Sequence, residues 1–399
     1  MYRLRNFIYR LFQFIWYKKG DGDMDYDYII WHDNDFDLAF WVRNNSILSS
    51  YRTQLRCIPK TNKPSQILDY FKDSCTKTVM NFIKFETPDV IIQKVDKRNG
   101  YPVIFVAELM THTPQWQHPA QRFTRLYNSS ILKVPTTLII PQRKTKWERG
   151  TKTDYKKTSY TCSPSVYQLF VDATIKNNTP TLIFNWPDND GYLLYDKAHQ
   201  TSPYIKDDIK LWFGFLNQCI ATSGKVKSQD FKVIYDKMKS KAEEKDPADF
   251  DTIEGVIKTT EAIKRFNLDT SKLSQKFLNN KETLIFSPKG LKCTNSSFRT
   301  DPYAGMLCAF DIMFCRNNNF ERDRNLLFIA ENVKMSEVNF MEGFHDTNQC
   351  PFLNNNIPLD KKHLNTCCFT QAKYRRIYGE IADIIVFDDK IFYNDGALK

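Results

Sequence analysis

No run of about 18 or more apolar residues occurs in the 399-residue chain, so no segment has the length and apolarity of a membrane-spanning helix. Glycine is scarce, 13 in all, and none builds a G-x-x-x-x-G-K phosphate loop. No Gly-x-Ser-x-Gly elbow or cysteine nucleophile signature marks a hydrolytic triad. The 10 cysteines include no C-x-x-C pair, and only Cys367 and Cys368 are adjacent, which argues against zinc ribbons and a dense disulfide framework. Free thiols in a reducing intracellular compartment, cytoplasmic or nuclear, are the expectation.

What remains is a globular composition. Apolar residues make up 42% of the chain and aromatic residues 14%, enough to bury cores in more than one domain. The formal charge of +11, from 57 basic and 46 acidic residues, leans toward a polyanionic partner. At the N-terminus Leu4, Phe7, Ile8, Leu11, Phe12, Ile15 and Trp16 recur at helical spacing among basic residues. Such a helix either docks onto the protein, the preferred reading, or lies on a membrane surface.

The pattern divides the chain into four stretches. Residues 1–64 read as an N-terminal helix followed by one or two half-buried strands in DYDYIIWHDNDFDLAFWV. Residues 65–223 read as an α/β core: a helix from Ser65 to about Lys84, two strands joined by a DKRNG turn, a helix from about Pro119 to Leu132, and a buried strand in VPTTLIIP. A helical crossover before that last strand permits parallel pairing at the sheet centre. Residues 224–284 read as a helical connector and 285–399 as an α+β region without assignable chemistry. DIMFCRNNNFERDRNLLFIAEN, from Asp311, echoes DVIIQKVDKRNGYPVIFVAEL, from Asp89, and chance is preferred over duplication as the source.

The chemistry concentrates at Pro88-Asp89 and Glu108. Each strand of the pair delivers one carboxylate, and hard oxygen ligands on a rigid sheet suit Mg²⁺ or Mn²⁺ bound together with a phosphate. Beyond the core, Arg143, Lys144, Lys146, Arg149, Lys152, Lys156 and Lys157 are interleaved with Trp147, Tyr155 and Tyr160. Clustered cations neutralise phosphates and aromatic rings stack on bases, although a solvated loop is the plainer reading of a charge run. His112 and His118 flank Trp116 without a clear third ligand for zinc.

Residues of about 65–141 resemble the core of the PD-(D/E)XK nuclease superfamily, the restriction-endonuclease-like fold. The pieces that carry the likeness are Pro88-Asp89, Glu108 on the next strand, the helix after it, and VPTTLIIP. The resemblance implies a mixed central sheet flanked by helices, with Asp89, Glu108 and the Leu109 carbonyl as magnesium ligands. It implies an acid from the preceding helix, for which Asp73 is chosen over Asp69 and Glu86. His32 in IIWHDND is similar to an upstream histidine of viral cap-snatching nucleases, but a partly buried histidine with a local partner is the preferred reading.

Met110 stands where the family carries a lysine that positions or activates the attacking water. A thioether does neither. The family sometimes relocates this lysine, and Thr111, His112, Thr113, Gln121 and Arg122 are nearby candidates. Gln121 and Tyr127 loosely resemble a Gln…Tyr pair of some branches. The resemblance thus implies a metal-dependent DNA nuclease, acting as a homodimer or within a larger complex. The alternative is a DNA-binding or assembly module that keeps the fold without the chemistry.

Overall fold

A computed structural model describes residues 26–33, 35–58, 74–83, 85–110, 118–142, 162–187, 207–244, 253–288, 303–338 and 374–394. It is a mixed α/β structure with two sheets flanked by helices, and among the described residues no helix is long and apolar enough to cross a membrane.

The first sheet contains β1 (Tyr28–His32), β2 (Thr53–Cys57), β3 (Val90–Lys94), β4 (Val103–Leu109), β5 (Thr136–Gln142) and β6 (Thr181–Pro187), in the order β2-β1-β3-β4-β5-β6. β1, β3 and β4 pair antiparallel in sequence across the sheet, while β4, β5 and β6 are parallel. The parallel step follows from a crossover through α3 (His118–Gln121) and α4 (Thr124–Ile131), the helical segment expected at 119–132. α2 (Ser74–Met80) precedes β3 and ends short of the expected Lys84, residues 81–83 being a turn; the part expected from Ser65 to Asp73 lies outside the described residues. DKRNG closes as a short 3₁₀ turn at Lys97–Asn99, capped by Asp96 and ended by Gly100 at φ 71°.

Two readings of residues 26–64 change. β1 is buried along its whole length, not half-buried, so both faces of the sheet are covered there. The stretch FDLAFWV is not strand but α1 (Phe36–Asn45), started by Asp35, whose carboxylate accepts the Leu38 N–H at 2.9 Å. Leu38, Ala39, Trp41 and Val42 supply its buried side. The boundary at 64/65 therefore runs between strands of one sheet.

α5 (Pro164–Asn177), α6 (Asp207–Ala221) and α7 (Ser228–Ala242) pack around β6. The second sheet, in the order β11-β10-β9-β8-β7, contains β7 (Ile253–Lys258), β8 (Glu282–Phe286), β9 (Asn325–Ala330), β10 (Ile384–Phe387) and β11 (Ile391–Tyr393). Helices α8 (Thr259–Arg265) and α9 (Gln275–Asn279) connect β7 to β8. The connector expected to be helical at 224–284 thus ends in a strand pair that belongs to the C-terminal sheet. Its helical charge pattern hid the β-branched IEGVIK, bent at Gly255 with φ 133°.

α10 (Gly305–Phe314) is buried and packs against α3, α4 and α5 on one side and α11 (Tyr374–Ile381) on the other. One continuous apolar cluster therefore runs from β1 to β10. Lys176 donates from α5 to the carbonyls of Ile312 and Met313 at 2.9 and 2.7 Å, satisfying the α10 C-terminus. The echo between the Asp89 and Asp311 segments extends to structure only in its second half, where VIFVAEL is β4 and NLLFIA is β9. Asp89 immediately precedes a strand, whereas Asp311 lies inside α10.

Candidate active site

β3 and β4 place Asp89 and Glu108 opposite each other. The register sets Val90 against Ala107, and one step outward brings the two acids together on a single face. The Asp89 N–H donates to Glu108 Oε2 at 3.2 Å, and the Leu109 N–H donates to Asp89 Oδ2 at 2.7 Å. Each carboxylate is thereby pinned by one oxygen, leaving Asp89 Oδ1 and Glu108 Oε1 to converge.

A cation already sits at that convergence. Arg125, on α4, brings Nη1 to 2.7 Å from Glu108 Oε1 and 3.7 Å from Asp89 Oδ1. Its Nε faces Glu86 Oε1 at 3.1 Å, and the other Glu86 oxygen accepts the Thr124 hydroxyl at 2.8 Å. Three carboxylates thus share one guanidinium. Glu108 is buried to 1% exposure, whereas the side chains of Glu86, Asp89 and Arg125 keep 18–19% and open the cluster to solvent.

Burial governs the protonation of the acids. It raises Glu108 well above the ordinary carboxylate range, with Arg125 opposing and Asp89 adding to the rise. Asp89 is raised for the same reason, against Arg125 and the Leu109 N–H, with Asp33 a further acid neighbour. The Asp33 N–H donates to the Asp89 carbonyl at 3.3 Å, tying the end of β1 to the site. Burial pulls Arg125 down, but Glu108, Glu86 and Asp89 outweigh it and hold the guanidinium charged.

The sequence-derived set is only partly assembled. Asp89, Glu108 and Leu109 come together as expected. Met110 is buried on the Glu108 face and gives its backbone N–H to Ile139 at 2.9 Å. Gln121 ends α3, and its carbonyl lies 3.4 Å from the Thr124 hydroxyl. Of the acids weighed beside this pair, Glu86 reaches the cluster through Arg125, and Asp73 lies outside the described residues. So do Arg143, Lys144, Lys146, Trp147, Arg149, Lys152, Lys156 and Lys157.

Tyr127 does not join Gln121 but donates to Asp311 of α10 at 2.6 Å. His32 is fully, not partly, buried at 1% exposure; its local partner is the Phe36 ring, met edge-on at 6.1 Å, and both ring nitrogens lack a hydrogen bond. It pairs in register with Val90, so side-chain alternation puts it on the sheet face away from Asp89 and Glu108. Arg125, the cation at the centre, was missed by the sequence reading. Its only signal is a basic residue on the helix that follows a strand-borne acid.

The donor chemistry fits a divalent cation: two hard oxygens from a rigid sheet point at one spot already chosen by a positive charge. Asp89, Glu108 and the Leu109 carbonyl would hold it. Among the described residues no group of three or more His, Cys, Asp or Glu side chains is placed to hold a metal ion. Comparison of the chain with protein-family models, curated proteins and solved structures finds no match.

Proposed function

We propose that this chain is a metal-dependent nuclease acting on DNA, built on a restriction-endonuclease-like core, with Asp89 and Glu108 as its cation ligands. The observation that carries the reading is the reciprocal pinning of these two carboxylates, which leaves one oxygen of each aimed at a common cationic position. A bound Mg²⁺ or Mn²⁺ would supply Lewis-acid activation and charge neutralisation at a phosphodiester. The antiparallel β1-β3-β4 run followed by the α4 crossover to parallel β5 supports the fold assignment.

Arg125 answers the absence of a lysine at Met110. It delivers a permanent positive charge to the same carboxylates from the next helix instead of from the strand. Glu86, fixed by Thr124, orients that charge. The net +11 charge supports a nucleic-acid substrate.

The test is incubation of supercoiled plasmid with the protein and Mg²⁺ or Mn²⁺. Cleavage should require the cation and should disappear in both Asp89→Ala and Glu108→Ala; cleavage that survives both removes the site assignment. The second reading, a nuclease-fold binding module, is favoured by buried Met110 and by Arg125 pairing with Glu108 at the position a cation would take. It predicts salt-sensitive DNA binding with no cleavage and no stabilisation by divalent cations.

A further inference from the structure

Arg125 makes two kinds of contact, and they are separable. Nη1 lies against Glu108 and at longer range Asp89. Nε lies at the other end, against Glu86, which Thr124 anchors through its second oxygen. A cation that takes the two sheet-borne oxygens displaces only the first contact. The guanidinium then stays held by its ion pair with Glu86, and its terminal nitrogens are released from the sheet-borne carboxylates.

We infer that Arg125 is an exchangeable ligand of the Asp89–Glu108 pair: a divalent cation replaces its Nη1 there, and the released guanidinium fork binds the substrate phosphate. The inference rests on the nuclease reading for its substrate, but the exchange itself concerns only this chain and a metal ion. The physical case is competition. Two cations cannot share Glu108 Oε1 at contact distance, since their repulsion in a site this buried is barely screened. A guanidinium fork also matches the oxygens of a phosphate bidentately, which a displaced lysine does not. Glu86 is thus a positioning residue, keeping Arg125 within reach after the exchange.

The experiment is Mn²⁺ binding to the full chain, measured by calorimetry, for wild type, Arg125→Met, Glu86→Gln and Glu108→Gln. Loss of the competing cation should let Arg125→Met bind Mn²⁺ about tenfold or more tightly than wild type, while Glu108→Gln loses binding. Arg125→Met should cleave DNA less than wild type despite holding metal better. Glu86→Gln should bind Mn²⁺ no more weakly than wild type yet need more DNA for half-maximal rate. In wild type, the Arg125 Nε–H resonance should persist, and its Nη resonances shift, as Mg²⁺ is added.

Equal or weaker Mn²⁺ binding by a folded Arg125→Met overturns the exchange and leaves the metal site standing. Undisturbed Arg125 resonances at saturating Mg²⁺ overturn it independently of any variant. Absence of Mn²⁺ binding in every protein overturns the nuclease reading as well, whereas tighter binding by Arg125→Met without cleavage by wild type supports the exchange and removes only the nuclease.

Discussion

Asp89 and Glu108 hold each other in place through the strands that carry them. The Asp89 N–H binds Glu108 Oε2 at 3.2 Å, and the N–H that follows Glu108 binds Asp89 Oδ2 at 2.7 Å. Neither carboxylate rotates without breaking a bond to the opposite strand. Their remaining oxygens therefore form a fixed pair, with Arg125 Nη1 as the present occupant.

That arrangement makes Glu108 costly to remove. Glu108→Ala removes the shortest carboxylate contact of Arg125, at 2.7 Å, and should cost about 1–3 kcal/mol of stability. The double variant with Arg125→Ala should cost less than the sum of the two singles. Urea denaturation of the three proteins reads both numbers.

Arg125→Met should be rescued in part by Met110→Lys. Alternation along β4 puts residue 110 on the Glu108 face, so a lysine there returns a cation to the same carboxylates from the strand. In the wild-type background Met110→Lys should add no cleavage, because Arg125 already supplies the charge. A cleavage assay on the two single variants and the double variant decides this. Rescue that fails in a folded double variant separates Arg125 from the role of the absent lysine.

His32 should make the fold acid-sensitive. Burial lowers its pKa to about 4, against an ordinary 6.5, so below pH 6.5 the unfolded chain takes up a proton that the folded one refuses. Stability present at neutral pH is then lost as pH falls from about 6.5 toward 4, by about 3 kcal/mol at the lower end. Glu108 acts in the opposite direction over its own range: its raised pKa favours the protonated folded state and withdraws stability as pH rises from 4.5. His32→Leu should remove the histidine part of the pH dependence without loss at pH 7, since neither ring nitrogen makes a bond to lose. Thermal melts between pH 4.5 and 7.5 measure it.

The two sheets should unfold together. Asp311 in α10 is fully buried, accepts from Tyr127 and pairs with Arg316 at 2.5 Å and Arg322 at 3.0 Å. Asp311→Ala should cost about 3–5 kcal/mol and Tyr127→Phe about 1 kcal/mol. Gly305→Ala, whose Cβ would run into the Gln121 backbone carbonyl, should cost about 1–3 kcal/mol. In each variant a single transition should shift as one, by circular dichroism and by tryptophan fluorescence alike.

The elements with strong local signals were legible in the sequence. VIIQK, VIFVAEL and TTLII are apolar runs bounded by turn residues, and they became β3, β4 and β5 in the expected pairing. FDLAFWV misled because acidic and apolar residues alternate there, while the capping carboxylate of Asp35 and the spacing of Leu38, Trp41 and Val42 make a helix. At the site, the two acids announced themselves by strand position. Glu86 was weighed but passed over and Arg125 was not seen, because their meeting depends on how α4 lies across β4 and β5, and no sequence spacing encodes that crossing. The same holds for Tyr127, whose partner is 184 residues away.

The central claim is that Asp89 and Glu108 jointly hold one divalent cation. Calorimetric titration of Mn²⁺ into wild type, Asp89→Asn and Glu108→Gln tests it most directly. One binding site in wild type that is lost in both variants, each still folded by near-ultraviolet circular dichroism, is the predicted result. Binding that persists unchanged in both variants, or no binding to wild type at all, contradicts it.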